Sequence, residues 1–215
     1  MMKIEGAIFD LDGTLLDSMA IWDHLAEDYL LRRKINPKEN LSKKFKEMSL
    51  YQAASYYQSH YGITDSIDEI IHDVTKMIEE FYLHQALPKA GIADFLAELQ
   101  NRGVKMCVTT CNDRNLALTS LTHLGLLSFF KEILTCNDGE YSKDEPHIFY
   151  AAQTLLETPT KTTWVFEDAF HAVKTAKTAG FPVVAVYDKS ESEQEKVRET
   201  ADLVIHSFAE MRDYL

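Results

Sequence analysis

Short apolar runs that end in polar loops, alternating with segments of helical spacing, restrict this chain to few architectures. Residues 4–9 open the pattern and give way to Asp10-Leu11-Asp12-Gly13-Thr14, which reads as a buried strand stopped by a turn. Residues 104–109, 132–136, 163–166, 183–186 and 202–205 repeat it. Between them 92–102, 114–124, 146–156 and 169–179 show helical spacing, with Gly103, Gly125 and Gly180 where helix stops belong. Strands alternating with helices predict an α/β fold, a doubly wound and mostly parallel sheet with right-handed crossovers.

One stretch breaks the alternation. From residue 18 to 86 the chain offers helical patterns alone. Trp22, Leu25, Ala26, Tyr29 and Leu30 form one apolar stripe, and Ile67, Ile70, Ile71, Val74, Met77, Ile78 and Phe81 form another at i, i+3, i+4, i+7 spacing. Such a block, inserted after the first strand, has no place in the sheet layer. It predicts a small all-helical cap domain, 18–86, carried on a core of 1–17 and 87–215. Tyr51, Tyr56, Tyr57 and Tyr61 lie in this block and read as packing groups, with a ligand-facing wall as the alternative.

The 215 residues include 22 Lys and Arg against 34 Asp and Glu, a net charge of -12. That balance repels phosphate backbones and anionic lipid, so neither nucleic acid nor a membrane surface is an expected partner. An anionic substrate needs a local cation. No stretch approaches the roughly 18 apolar residues of a membrane span, and the first residues lack the apolar core of a signal peptide. Cys107, Cys111 and Cys136 make an odd count, which predicts reduced thiols and a cytoplasmic location.

In an open parallel sheet the binding crevice lies outside the carboxyl ends of the strands. There the sequence places Asp10 and Asp12, then Thr109 and Thr110, then Glu167 and Asp168, with Lys143 in the loop after the third strand. Carboxylates about 4 Å apart repel by roughly 4 kcal/mol at an effective dielectric of 20, so a cation must offset them. Acidic groups with no His or Cys partner make a hard oxygen-ligand site, which favours Mg2+ and, through it, phosphate chemistry. A carboxylate can act as a covalent nucleophile, while a metal and a lysine neutralise the transferring group. In an extended segment Asp10 and Asp12 fall on one side, within reach of a single phosphorus centre.

These residues resemble the haloacid dehalogenase-like superfamily, and within it the β-phosphoglucomutase-like phosphatases and phosphomutases that carry a helical cap. The resemblance spans nearly the whole chain. Its motifs stand in family order as Phe9-Asp10-Leu11-Asp12-Gly13-Thr14-Leu15-Leu16-Asp17-Ser18, Val108-Thr109-Thr110-Cys111-Asn112, Ser142-Lys143-Asp144-Glu145-Pro146-His147-Ile148-Phe149 and Phe166-Glu167-Asp168-Ala169. The resemblance implies that Asp10 becomes an aspartyl phosphate and that Asp12 is the general acid and base. Thr110, preferred to Thr109, would bind phosphoryl oxygens and Lys143 would neutralise charge. Asp10, the backbone carbonyl of Asp12, Glu167 and Asp168 would hold magnesium. Gly13, Thr14, Asn112, Trp22 and Leu50 are the candidates for substrate contact, with Tyr51 and Lys76 as weaker ones in the cap. Asp17 and Ser18 read as helix-capping residues at the entry to the cap.

Three departures bear on the reaction. Trp22 stands where the β-phosphoglucomutase pattern has His, and Leu50 where it has a phosphate-binding Arg, although Lys46 or Lys76 would be substitutes. The lysine motif has Asp144 and Glu145 between Lys143 and Pro146. The expected activity is therefore magnesium-dependent hydrolysis of a small phosphorylated metabolite, a sugar phosphate for example, by a monomer or weak homodimer. A phosphomutase is the alternative, followed by a non-catalytic phosphate-accepting or binding protein. A receiver-type signalling domain is disfavoured because the acidic pair follows the first strand, and a P-loop enzyme because no G-x-x-x-x-G-K-[ST] sequence is present.

Overall fold

In the computed structural model, which describes residues 2–45, 48–138 and 141–215, the elements run in this order: β1 (Gly6–Phe9), β2 (Leu16–Asp17), α1 (Ala20–Arg32), α2 (Leu41–Phe45), α3 (Leu50–Tyr61), α4 (Ile67–His84), β3 (Leu87–Pro88), α5 (Ile92–Asn101), β4 (Lys105–Thr110), α6 (Arg114–His123), β5 (Ile133–Thr135), α7 (His147–Leu156), β6 (Thr163–Glu167), α8 (Phe170–Thr178), β7 (Val183–Val186), α9 (Gln194–Thr200) and β8 (Leu203–Ile205). The chain divides into two compact units, Met1–Ser18 with Ala86–Leu215, and Met19–Gln85.

The first unit is built on a six-stranded sheet in the order β5-β4-β1-β6-β7-β8, with every neighbouring pair parallel. β1 is buried along its whole length, which is why its sequence reads as a continuous apolar run. Its side chains alternate between two layers. Phe9 stacks on Phe166 at 4.5 Å, and both meet Phe95 of α5 edge-on. Ile8 joins the opposite core with Val165, Ile148 and Phe149 of α7, and Val173 of α8. Burying each such side chain contributes about 1.5–3 kcal/mol.

β2 and β3 form a short antiparallel ribbon, Leu16 opposite Pro88 and Asp17 opposite Leu87. It ties together the two points where the chain leaves and re-enters the first unit. Two-residue strands are too short to leave a periodic signal, and nothing in the sequence predicted them.

The strand register corrects the expectation of three reduced thiols. Cys111 and Cys136 are disulfide-bonded, their Cα atoms 4.7 Å apart, while Cys107 is free and buried. β4 and β5 run parallel with Val108 beside Ile133, Thr109 beside Leu134 and Thr110 beside Thr135. One step further along each strand sets Cys111 opposite Cys136. A separation of 25 residues carries no such information until the register is known.

The second unit is helical throughout its named elements. Capping boxes at Ser49 with Gln52 and Ser66 with Glu69 start α3 and α4, and Gly62 ends α3 at φ +67°. The Glu27 carboxylate accepts the amide hydrogens of Leu41 and Ser42, so a residue of α1 caps α2. Of the tyrosines, Tyr57 is buried against Tyr29 at 4.7 Å and donates to the Ala26 carbonyl at 2.9 Å. Tyr56 donates to Glu39, Tyr61 accepts from the Lys38 amide, and Tyr51 is exposed.

Candidate active site

Asp10 follows β1 directly, and its amide donates to the Phe166 carbonyl at 3.0 Å, which fixes the residue beside the end of β6. The chain then folds back. The amides of Leu15 and Leu16 donate to the Leu11 carbonyl, and that of Gly13 to Leu16. Gly13 stands at φ +85°, where a Cβ would lie 2.3 Å from Asp168 Oδ2; only glycine fits both the backbone and the space.

Asp10, Lys143, Glu167 and Asp168 converge, and all four are buried. Lys143 Nζ donates to Asp10 Oδ1 and to Glu167 Oε1, the latter at 2.6 Å. Asp10, Glu167 and Asp168 each offer an oxygen, and these atoms lie within 4.8 Å of one another. The second Glu167 oxygen accepts the amides of Asp168 and Ala169, and Thr14 Oγ1 donates to Asp168 Oδ1 at 3.2 Å. Burial pushes the Asp10 carboxyl up to about 8, with Lys143 pulling it down and Glu167 and Asp12 pushing it further up. Burial likewise raises Asp168 well above the usual carboxylate range, helped by Asp10 and Glu167. Lys143 is also buried, yet the attraction of Asp10 and Glu167 outweighs that and holds its ammonium protonated. When ionised, these three carboxylates outnumber the one ammonium, and a divalent cation in place of the protons would balance the excess.

Asp12 has different partners. Ser18 Oγ donates to its Oδ1 at 2.5 Å and Asn112 Nδ2 to its Oδ2 at 2.9 Å. Its carboxylate is thus not one of the three clustered above; the ligand expected from this residue was its backbone carbonyl. Thr110 closes β4, and its Oγ1 accepts the Asn112 amide at 3.0 Å. The Thr109 hydroxyl is fully buried and has no partner among the described residues.

Ser18 is not the helix cap expected of it, because α1 begins from Met19 with no side-chain cap; the hydroxyl turns to Asp12 instead. Trp22 and Leu50 belong to the second unit, where both line an apolar cavity. Lys76 is exposed on α4, and Lys46 lies outside the described residues. A further buried pair lies outside the cluster. Lys89 Nζ binds Asp188 Oδ2 at 2.6 Å, and the Asp188 charge adds to the forces that raise Asp168. Asp188 lies just past the end of β7, so reading polar residues after every strand would reach it; Lys89 carries no such signal.

A family model described as haloacid dehalogenase-like hydrolase matches residues 7–186. The chain belongs to the haloacid dehalogenase-like hydrolases. Among curated relatives of this hydrolase, the mitochondrial (DL)-glycerol-3-phosphatase 1 of Arabidopsis thaliana is 28% identical over 194 residues, covering 86% of this chain and 65% of that protein. Validoxylamine A 7'-phosphate phosphatase of Streptomyces hygroscopicus subsp. limoneus is 27% identical over 211 residues, covering 96% and 95%. Of solved structures, a candidate β-phosphoglucomutase from Thermotoga maritima superposes with a TM-score of 0.84 at 19% identity, covering 99% of this chain and 100% of that one. CbbY from Rhodobacter sphaeroides in complex with phosphate gives 0.74 at 20%, covering 97% and 96%. At these identities the structures speak for the fold. Phosphatases of the haloacid dehalogenase-like hydrolases use a divalent metal, and the buried all-oxygen set of Asp10, Glu167 and Asp168 has the donor chemistry to hold one.

Proposed function

We propose that this haloacid dehalogenase-like hydrolase is a magnesium-dependent phosphatase of small phosphomonoesters, acting through an aspartyl phosphate on Asp10, with residues 18–86 as its cap. The observation that carries the reading is the division of labour between two carboxylates on one loop. Asp10 is held by Lys143 beside Glu167 and Asp168, whereas Asp12 is held by Ser18 and Asn112. One is set among groups that neutralise charge; the other is set among hydrogen-bond donors that orient it for proton transfer.

In the first half of the reaction an Asp10 carboxylate oxygen attacks phosphorus, and protonated Asp12 gives its proton to the leaving alkoxide. In the second half Asp12 takes a proton from water, which attacks the aspartyl phosphate and releases Asp10. Lys143 offsets charge on Asp10 and the phosphoryl oxygens, and Thr110 donates to those oxygens. Asp10, Glu167, Asp168 and the Asp12 carbonyl would hold Mg2+, whose charge helps to stabilise the phosphoryl group. Leu50 and Trp22 supply no charge to a second phosphate, which supports hydrolysis over the mutase alternative.

The test is inorganic phosphate release from a panel of phosphomonoesters with magnesium and with chelator, beside Asp10→Asn. Release that needs the metal and vanishes in the folded variant is expected. Undiminished release from Asp10→Asn would overturn the assignment.

A further inference from the structure

The second unit holds a cavity of about 380 Å³ among its helices, with Trp22, Phe45, Leu50, Tyr57, Ile70 and Val74 in its wall. No charged side chain is among its described lining residues. The wall hydroxyls are already engaged, Tyr57 donating to the Ala26 carbonyl and Ser42 to the Glu27 carboxylate. Hollows of about 300–1,000 Å³ lined by apolar and aromatic groups are the usual form of small-molecule sites. A polyhydroxylated ligand would lose its water hydrogen bonds here without replacement.

We propose that this cavity binds a compact apolar organic group, aromatic or branched aliphatic, bearing at most one hydroxyl. The group has two possible sources, a free ligand or the alcohol part of the phosphomonoester; the second rests on the phosphatase reading.

Binding is tested without turnover. The chain has two tryptophans, so in full-length Trp164→Phe protein the indole signal comes from Trp22. Titration with cyclohexanol, which does not absorb where indole does, is expected to shift Trp22 emission saturably, with a negative heat-capacity change by calorimetry. Glucose is expected to give no saturable shift. Ala53→Phe, which fills the cavity from α3, and Leu50→Asp, at a half-exposed wall position, are each expected to weaken cyclohexanol at least tenfold. Leu50→Asp keeps the test open should Ala53→Phe fail to fold. No saturable response to cyclohexanol, or one of equal affinity in folded Leu50→Asp, overturns the proposal.

A second arm compares cyclohexyl phosphate with glycerol phosphate as substrates. A tenfold or larger loss of kcat/KM in Ala53→Phe for the cyclohexyl ester alone supports the alcohol part of the ester as the occupant. Unchanged kcat/KM beside weakened cyclohexanol supports a free ligand. Absence of phosphate release from both esters, with cyclohexanol binding intact, counts against the phosphatase reading and supports the binding site.

Discussion

Ser18 donates its hydroxyl hydrogen to Asp12 Oδ1 at 2.5 Å, so the residue that ends the first unit's opening segment orients the group assigned to proton transfer. Asn112 holds the other oxygen at 2.9 Å from the end of β4. A positioned general acid and base contributes about 10²–10⁴-fold. Asp12→Asn is expected to lose kcat by that factor, whereas Ser18→Ala and Asn112→Ala each leave one donor in place and lose less. The pH dependence of kcat separates the roles: both positioning variants should shift its acid or base limb, and an unmoved profile in each would count against orientation of Asp12.

Gly13 and Asp168 are coupled through space. A Cβ at residue 13 would meet the Asp168 carboxylate at 2.3 Å, and the backbone there is left-handed, which costs an L-residue about 1–2 kcal/mol. Gly13→Ala must therefore push aside a carboxylate of the acidic cluster. Changes to groups that orient metal ligands cost about 10–100-fold in affinity. Calorimetric titration of the folded variant with magnesium is expected to show a loss of that size, with a smaller one for Thr14→Val, which removes the donor to Asp168 Oδ1. Wild-type affinity in Gly13→Ala would remove Asp168 from the metal site.

Metal-free protein should respond to pH in a direction opposite to that of most acidic groups. Burial holds the Asp10 carboxyl at about 8 against an ordinary value of 3.8, and Asp168 moves the same way. Between those values the folded chain binds protons that the unfolded chain releases, so stability falls as pH rises. The Tm of chelator-treated protein is expected to be higher at pH 6 than at pH 8.5. Saturating magnesium should flatten the slope, because the cation replaces the protons as the balancing charge. Calorimetric scans across that interval decide it, and a metal-free Tm that climbs with pH would contradict the raised carboxyls.

The parallel sheet was legible because strands such as β1 and β7 are buried on both faces and read as unbroken apolar runs, and the acidic groups because they stand at the strand ends. What the sequence hid depends on distances between elements. Asp12 and Ser18 are six residues apart, yet the sequence reads Ser18 as a cap, whereas α1 starts from Met19 with no side-chain cap and the Ser18 hydroxyl bonds Asp12. The Cys111–Cys136 bond follows from the β4–β5 register, which no local pattern encodes. The contacts of Thr14 Oγ1 with Asp168 Oδ1 and of Gly13 with the same carboxylate likewise leave no local signal, because they join the loop after β1 to the end of β6.

Lys89 and Asp188 form the most buried ion pair outside the acidic cluster among the described residues, their side chains 14% and 2% exposed. Burial alone would raise the Asp188 carboxyl, but Lys89 and the hydroxyl and amide of Ser190 hold it below its ordinary range. Its negative charge also reaches Asp168, so Lys89 offsets part of the repulsion within the acidic group. Removing one partner of a buried pair leaves an uncompensated charge and costs about 3–5 kcal/mol, whereas replacing both with apolar groups is often close to neutral. Lys89→Met is therefore expected to lower unfolding free energy by about that amount in urea at neutral pH. The double variant Lys89→Met, Asp188→Leu should recover most of the loss. A double-mutant cycle measures the coupling directly, and additive losses would show that the two side chains stabilise the fold independently.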